Sequence, residues 1–390
     1  MMLKLFVLTC ILAQLHTSIG SVIEIDLIED RELLLAFIVN RHGERSPDAD
    51  ELSLSDEQEK LKNLTYIEGL EGLTNEGKRR AFQLGQFVLK RYGPPGYGLF
   101  SKIYFHDEIA VRSTDKDRTK MTLQVALSAV YPPEPEQQWG EGLGRMWQPI
   151  PFTAVPLSED YLRFYSNCER FKVLMAEAKK KSIFEEFLPY KDLVTLLKMQ
   201  TGRNFTEDPV LFETLFDLFK SQVALGLDIP EWAKPLLPKL SEAARLAYRL
   251  YFRNDEMKKI GGGVLLNNFI TAATDIISGK EAKPRLHWFS GHDFNIGALM
   301  DVSKVVRHEQ TIPEYGSLFA LELYRSKITG QYTVLPVYLP KAGESTAIEL
   351  HFTGCESSNY CKFSKFTEIT KDFVLPEKEF YQLCNIRTEL

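Results

Sequence analysis

The sequence predicts an α/β fold, with a mostly parallel central sheet flanked by helices and a smaller helical cap subdomain inserted into it. Two observations carry this prediction. Towards both ends of the chain, apolar runs typical of buried strands alternate with segments of helical periodicity, which indicates a parallel sheet. Between them, from about residue 168 to residue 252, helical periodicity continues with few strand signals, which indicates a helical insert.

The first predicted strand and helix show both signals. Residues 33–39 (LLLAFIV) form a continuous apolar run, as expected of a strand that is buried on both faces. A helix is predicted over 74–92, because Thr74 can cap it and apolar residues then recur at helical spacing. The Gly-Pro-Pro-Gly sequence at 93–96 should end this helix.

The same signals place the remaining elements and divide the chain. In order, we expect a strand at 108–111, a helix at 117–130, a strand at 285–290, a helix at 294–302, and a hairpin of strands 318–324 and 332–338 around Gly330. The glycine triplet at 261–263 lacks the Lys and Ser or Thr of a phosphate-binding loop, and it is interpreted as a flexible helix entry. The predicted units are a signal peptide (1–20), a first α/β part (21–150), a helical cap (151–255) and a second α/β part (256–390).

Composition and charge exclude several classes of protein. With 26% charged and 12% aromatic residues, the 390-residue chain has a globular composition, which excludes a disordered or fibrous protein. Lys4 is the only charged residue among the first twenty, so the rest carries 46 basic residues (47 less one) against 53 acidic ones, a net charge of −7. This balance argues against nucleic acid or an anionic membrane as the main partner, but not against a small anionic substrate.

The first twenty residues are typical of a secretory signal. Lys4 supplies the positive region, residues 5–15 are apolar, and Ser18-Ile19-Gly20 fits a cleavage site. An apolar stretch of about 11 residues is too short to span a bilayer. We therefore expect an exported, extracellular protein without a membrane anchor, with the lysosomal lumen as the alternative. Asn63 and Asn204 lie in glycan acceptor patterns, which fits export.

Cysteine usage agrees with export. Four cysteines remain after the signal: Cys168, Cys355, Cys361 and Cys384. They suggest two disulfides with three possible connectivities, and the short spacing between Cys355 and Cys361 favours a small loop between those two. A zinc site is the competing interpretation, but no CxxC pair or histidine cluster supports it, and we expect no metal.

Directly after the first predicted strand comes the sequence Arg-His-Gly-Glu-Arg-Ser-Pro, residues 41–47. A guanidinium offers paired donors that match phosphate oxygens, and two arginines flank His42 here. Arg112 follows the second predicted strand, and His292 with Asp293 follows the third. Because ligands bind beyond the carboxyl ends of strands in α/β sheets, we expect a shared anion site. Its predicted members are Arg41, His42, Arg45, Arg112, His292 and Asp293.

These side chains suit the hydrolysis of a phosphomonoester. Arginines would bind the two negative charges and stabilise the transferring phosphoryl group. A neutral His42 could attack phosphorus, and the neighbouring arginines should lower its pKa. Asp293 is the candidate general acid for the leaving alkoxide, which predicts best turnover at acidic pH. No cofactor is required.

The sequence resembles the histidine acid phosphatase family (histidine phosphatase superfamily, branch 2), and within it the insect venom acid phosphatases. The resemblance covers nearly the whole mature chain, and its motifs are RHGERSP at 41, LTNEGKRRAFQLGQFVLKRYG at 73, VRSTDKDRT at 111, SGHD at 290 and LPVYLP at 335. It implies an α/β domain with a helical cap and broad phosphomonoester hydrolysis at acid pH.

The resemblance also assigns roles to residues. It implies a phosphohistidine on His42 with Asp293 as proton donor, and phosphate binding by Arg41, Arg45, Arg112 and His292. It implies disulfides between Cys168 and Cys384 and between Cys355 and Cys361, and it makes a homodimer possible. The alternatives are a phytase or a lysophosphatidate phosphatase on the same scaffold, or an exported binding protein with a dead active site.

Overall fold

The computed structural model describes residues 30–280, 283–306, 312–344, 346–355 and 358–387. The predicted signal peptide at 1–20 lies outside these residues. One central sheet of seven strands organises the described part of the chain. Its strands are β1 (Arg31–Arg41), β2 (Ile109–Ser113), β3 (Leu286–Gly291), β4 (Leu318–Ser326), β5 (Tyr332–Leu339), β6 (Ile348–Glu349) and β7 (Cys361–Lys362).

The sheet is mixed, which corrects the prediction of a mostly parallel one. Its strand order is β2-β3-β1-β4-β5-β6, and β7 also pairs with β5. Among the strands of the described residues, β2, β3 and β1 pair in parallel, whereas β4 pairs antiparallel with β1 and the later strands continue antiparallel. The predicted hairpin is present as β4 and β5, with Gly330 in the left-handed region at φ 69°. The parallel part is nevertheless the part whose strand ends carry the predicted site.

Helices cover both faces of the sheet, as the α/β prediction requires. The α-helices are α1 (Ala49–Leu52), α2 (Gln58–Leu64), α3 (Asn75–Tyr92), α4 (Asp117–Val130), α5 (Leu143–Met146), α6 (Phe164–Asn167), α7 (Glu169–Glu185), α8 (Lys191–Thr201), α9 (Leu211–Ala224), α10 (Leu237–Arg249), α11 (Asp255–Ser278), α12 (Asp293–Val302), α13 (Phe363–Thr370) and α14 (Glu377–Leu383). Short 3₁₀ turns connect several of them. The segment from α6 to α10 contains helices without strands, in agreement with the predicted helical middle.

The structure of strand β1 shows why its residues 33–39 are apolar at every position. Leu35, Phe37 and Val39 pack into a core that includes residues of α7, α9, α10 and α11. The alternate residues Ala36 and Ile38 pack into a second core with α3 and α4 on the other face. A strand covered by helices on both faces needs hydrophobic side chains in both directions.

The glycine triplet lies inside α11, so its interpretation as a flexible helix entry is wrong. A Cβ at Gly262 would lie 2.5 Å from the carbonyl oxygen of Ala298 in α12, and one at Gly263 would lie 2.5 Å from that of Phe373. The three glycines therefore let neighbouring backbone pack closely against α11. By length and composition this helix could cross a membrane, but its apolar side chains between Met257 and Phe269 are buried in the first core.

Two disulfides join the cysteines in the predicted pairing. Cys168, just before α7, is bonded to Cys384, just after α14, with an S–S distance of 2.04 Å. Cys355 is bonded to Cys361 at the start of β7. The long-range disulfide thus links the helical middle of the chain to its C-terminal helix.

Candidate active site

The ends of the three parallel strands meet at one edge of the sheet. In register, Arg41 at the end of β1 is opposite Gly291, and Ser113 at the end of β2 is opposite Ser290 of β3. A cavity of about 410 Å³ opens beyond this edge. The structure places five of the six predicted site residues in its lining: Arg41, His42, Arg45, His292 and Asp293.

His42 is buried, and its contacts define its tautomer. Its Nδ1 lies 2.8 Å from the carbonyl oxygen of Gly43, which can only accept, so Nδ1 carries the proton. Its Nε2 accepts a hydrogen bond of 3.1 Å from Nε of Arg118. Burial lowers the pKa of His42 well below its usual value, and the charges of Arg118, Arg41 and Arg45 lower it further. Nε2 is therefore unprotonated, and its lone pair accepts the hydrogen bond from Arg118, which also lines the cavity.

The loop that carries His42 is held against the start of α3. A Cβ at Gly43 would lie 2.4 Å from the carbonyl oxygen of Gly77, so only glycine fits this approach. Thr74 caps α3 by accepting from the Gly77 amide at 3.1 Å, and its hydroxyl donates to the carbonyl of Glu44 at 3.0 Å. The predicted helix cap thus also fixes the catalytic loop.

Arg41 is fixed on several sides. Its Nη1 donates to the carbonyl of Pro313 at 2.7 Å, and its Nη2 lies 3.2 Å from Asp217 and 3.1 Å from Asp293. The guanidinium carbon stands 4.1 Å from the ring centroid of Tyr315. Although burial opposes it, these carboxylates raise the pKa of Arg41 above its usual value.

Arg45 is bound in a fork by Glu51 from the short helix α1, with Nη1 2.7 Å from Oε2. Glu51 also accepts from the backbone of Asp48 in a capping box, so one carboxylate orders both the helix start and the arginine. The sequence analysis missed Glu51, although the spacing from Asp48 to Glu51 was a legible capping signal.

His292 and Asp293 begin α12 directly after β3. Nε2 of His292 lies 3.2 Å from the hydroxyl of Thr114, and its ring stands edge-on to that of His42, 5.5 Å between centroids. Burial and the charge of Arg118 lower the pKa of His292. Asp293 accepts from the backbone of Phe294 at 2.8 Å. Burial raises the pKa of Asp293 above its usual value, although Arg41 opposes the rise, and this favours the protonated form that a general acid needs.

The placement predicted for Arg112 is wrong, because this side chain does not line the cavity. Its Nη2 is 2.7 Å from Asp160, and its guanidinium carbon stands 4.1 Å from the ring centroid of Tyr161. In β2, residues 109, 111 and 113 are buried towards one face, so Arg112 projects from the other.

Arg118 takes the position expected for Arg112. It lies in the first turn of α4, lines the cavity and contacts His42, while Nη1 donates to Glu71. Lys116 also donates to Glu71, at 2.9 Å, and both cations lower the pKa of Glu71 to about 2 although burial opposes them. The stretch VRSTDKDRT contains both arginines, and the sequence analysis assigned the phosphate site to Arg112 rather than to Arg118.

Helix α9 contributes two buried acids that the sequence analysis also missed. Glu213 and Asp217 are one helical turn apart, and both line the cavity. Their carboxylate oxygens lie within 4.8 Å of one another and of Asp293. Such a cluster could hold a cation, but Arg41 already contacts Asp217 and Asp293. The sequence does contain a signal for these acids. They lie four residues apart in a predicted helix, next to the apolar residues Phe212 and Leu215, which indicates that the acids are buried as well.

Comparisons with known proteins agree with this arrangement. The family model described as histidine phosphatase superfamily (branch 2) matches residues 32–338. A venom acid phosphatase of Apis mellifera is 31% identical over 352 residues, which are 89% of this chain and 87% of that protein. The prostatic acid phosphatase of Homo sapiens is 31% identical over 87% of this chain and 85% of its own length.

Solved structures share the fold at lower identity. A Hafnia alvei phytase in complex with myo-inositol hexakis sulphate superimposes with a TM-score of 0.64 at 16% identity. The alignment covers 89% of this chain and 98% of the phytase. A phytase from Citrobacter braakii gives a TM-score of 0.61 at 17% identity, again over 89% of this chain and 98% of its own. These likenesses confirm the α/β architecture.

Proposed function

The chain belongs to the histidine phosphatase superfamily (branch 2), and from this membership and the site we propose that it is a secreted acid phosphatase that forms a phosphohistidine on His42. The observation that carries the proposal is the unprotonated Nε2 of His42 in a cavity lined by Arg41, Arg45 and Arg118. Three guanidinium groups around one imidazole suit a dianionic phosphate and leave the imidazole neutral.

The first chemical step is attack of Nε2 on phosphorus. In the free enzyme Arg118 donates to this nitrogen at 3.1 Å, so a phosphate oxygen must take over that hydrogen bond before the lone pair can react. The Nε2–P bond forms while the bond from phosphorus to the ester oxygen breaks. Nδ1 keeps its proton and donates it in a hydrogen bond to the carbonyl oxygen of Gly43. This hydrogen bond stabilises the positive charge that develops on the ring.

The leaving oxygen takes the proton of Asp293. Its raised pKa keeps a fraction of this carboxyl protonated in mild acid, where most exposed aspartates are ionised. In the second step Asp293 accepts a proton from water, whose oxygen attacks phosphorus and breaks the Nε2–P bond. Inorganic phosphate leaves, and both His42 and Asp293 return to their starting states.

Export, the lysosomal alternative and a homodimer stay predictions. Both disulfides suit an oxidising compartment, and the similar proteins include venom, prostatic and lysosomal acid phosphatases. Asn63 is exposed and Asn204 is half-buried, so the side chain of Asn63 is the more accessible of the two proposed glycan sites. A small phosphomonoester is the expected substrate, and neither nucleic acid nor a membrane is expected as a partner.

The proposal is tested by release of nitrophenol from nitrophenyl phosphate at about pH 5 with a chelator present. We expect activity in the wild type and a covalent phosphoenzyme in rapidly quenched samples. His42→Ala should lose both, whereas the control His106→Ala, which changes an exposed histidine, should keep both. Phosphoenzyme formation by His42→Ala would exclude the nucleophile, and activity that the chelator abolishes would indicate a metallophosphatase.

A further inference from the structure

We propose that this enzyme selects phosphomonoesters whose leaving group carries no negative charge, and that Glu213 is the residue that sets this selection. The inference rests on the proposed phosphatase function and adds the substrate class. It would exclude the phytase alternative, because each phosphate of a polyphosphorylated inositol leaves from a group that carries further phosphates.

The cavity is acidic, although it holds a phosphate site. Its lining contains five basic residues, Arg41, Arg45, Lys116, Arg118 and Arg163, against seven acidic ones, Asp48, Asp50, Glu51, Glu71, Glu213, Asp217 and Asp293. The cations are grouped on the phosphate side, since three of them lie around His42 and the charge of Arg163 acts on His292. A second anionic group would therefore have to lie among carboxylates.

The cations of the phosphate site already form ion pairs with carboxylates of the protein. Glu51 binds Arg45, Glu71 binds Arg118 and Lys116, and Asp217 binds Arg41. A bound phosphate would share these cations with the carboxylates. That leaves little positive charge to neutralise a second phosphate or a carboxylate on the leaving group.

Glu213 differs from the other buried acids of the cavity because, among the described residues, it forms no ion pair, and only the charge of nearby Arg41 partly offsets its own. Its side chain is buried with 6% exposure, and among the described residues no protein group donates a hydrogen bond to its carboxylate. Its oxygens lie within 4.8 Å of those of Asp293, the proposed proton donor, so it stands on the leaving-group side. Burial and the charges of Asp293 and Asp217 raise its pKa well above the usual value.

The rest of this side is aromatic and suits uncharged or cationic groups. Tyr251 and Phe294 line the cavity with their ring centroids 4.1 Å apart, and Tyr165 lies 5.0 Å from Phe294. Aromatic faces accept hydrocarbon and attract ammonium groups, and a carboxyl beside them reinforces this preference. A leaving group with an alcohol or an amine would be accepted here, whereas an anion would meet Glu213.

The test uses three esters of similar size: 2-aminoethyl phosphate, 2-hydroxyethyl phosphate and 2-phosphoglycolate. They share the reacting phosphate, so ratios of kcat/KM between them report the leaving group. In the wild type we expect the aminoethyl and hydroxyethyl esters to exceed phosphoglycolate by about tenfold or more, because like charges in a desolvated site repel strongly. The advantage should grow as pH rises, because the raised pKa of Glu213 keeps part of this carboxyl uncharged in acid and its charge develops as it ionises.

Glu213→Gln keeps the shape of the side chain and removes its charge. The ratio of aminoethyl to phosphoglycolate kcat/KM should fall several-fold towards one in this variant, and its increase with pH should weaken. Glu207→Gln is the matched control, since Glu207 is an exposed acid just before α9 that does not line the cavity. Its ratios should equal those of the wild type.

The outcomes separate this inference from the proposed function. Phosphoenzyme formed from nitrophenyl phosphate reports the function and the folding of each variant. If it forms, equal rates on the three esters, or an unchanged ratio in Glu213→Gln, would overturn the inference alone. If the wild type forms none and hydrolyses nothing, the proposed function itself fails.

Discussion

At the scale of single residues, two arginines that lie six positions apart in the sequence have different functions. Arg118 contacts the proposed nucleophile, whereas Arg112 contacts Asp160 outside the cavity. Arg118→Ala should lower kcat/KM about 10²–10³-fold, the usual effect of removing one preorganised donor to transition-state charge. Arg112→Ala should change kcat/KM much less, but lower the unfolding free energy by about 3 kcal/mol, because it leaves Asp160 buried without its partner.

Steady-state kinetics with nitrophenyl phosphate and thermal unfolding of both variants check this pair. The assignment made from sequence would be restored if Arg112→Ala kept its stability and lost as much kcat/KM as Arg118→Ala.

The wrong assignment of Arg112 to the phosphate site has a physical origin. A strand end predicts where the backbone meets the site, but the alternation of side chains decides which of them enters it, and Arg112 falls on the wrong face of β2.

Asp293 can be tested through the basicity of the leaving group. Asp293→Asn should lower kcat for an alkyl phosphate about 10²–10⁴-fold, the usual contribution of a general acid, and lower it much less for nitrophenyl phosphate, whose leaving group needs little protonation. In the wild type, kcat for the alkyl ester should fall as pH rises through the raised pKa of Asp293, because the acid is then lost. The variant should lose this fall. Equal losses on both esters would exclude the proton-donor role.

At the scale of elements, helix α9 connects the helical middle of the chain to the chemistry. Asp217 of this helix accepts from Arg41, and its negative charge helps to raise the pKa of Asp293. Asp217→Asn removes that charge and leaves Arg41 more available to Asp293, and both changes stabilise the ionised carboxylate. The alkaline limb of the pH profile should therefore move to lower pH.

Profiles of kcat against pH with an alkyl phosphate measure this shift. Asp208→Asn serves as a control, because Asp208 precedes α9 and does not line the cavity. A limb that moves to higher pH, or does not move, would show that Asp217 does not tune the proton donor.

Most elements were predictable because their signals are local. The predicted helix bounds at 117–130 match α4, and the predicted Thr74 cap precedes α3. Strand direction is different, because an apolar run has the same appearance in parallel and antiparallel pairs. The sequence of β4 predicts a buried strand, and the structure confirms it. The apolar run does not indicate its direction, and β4 runs antiparallel to β1. The glycine triplet failed for a related reason, since the close approach of Ala298 to Gly262 depends on a helix distant in sequence.

At the scale of the whole molecule, the two disulfides should differ in their contribution to stability. Cys168 and Cys384 are 216 residues apart, and Cys355 and Cys361 are 6 apart. In the chain-entropy account, closing the longer loop stabilises the fold by about 5 kcal/mol and the shorter by about 2 kcal/mol. The first bond also joins α7 to α14, so its loss frees the C-terminal helix from the helical middle.

Replacing each pair by serine tests this difference. The Cys168→Ser/Cys384→Ser variant should lose about 3 kcal/mol more of unfolding free energy in urea than the Cys355→Ser/Cys361→Ser variant. None of the four cysteines lines the cavity, so the folded fraction of each variant should keep the kcat of the wild type on nitrophenyl phosphate. A larger loss of stability from the short loop would show that strand β7, which begins at Cys361, depends on its disulfide more than the helical middle depends on the C-terminal bond.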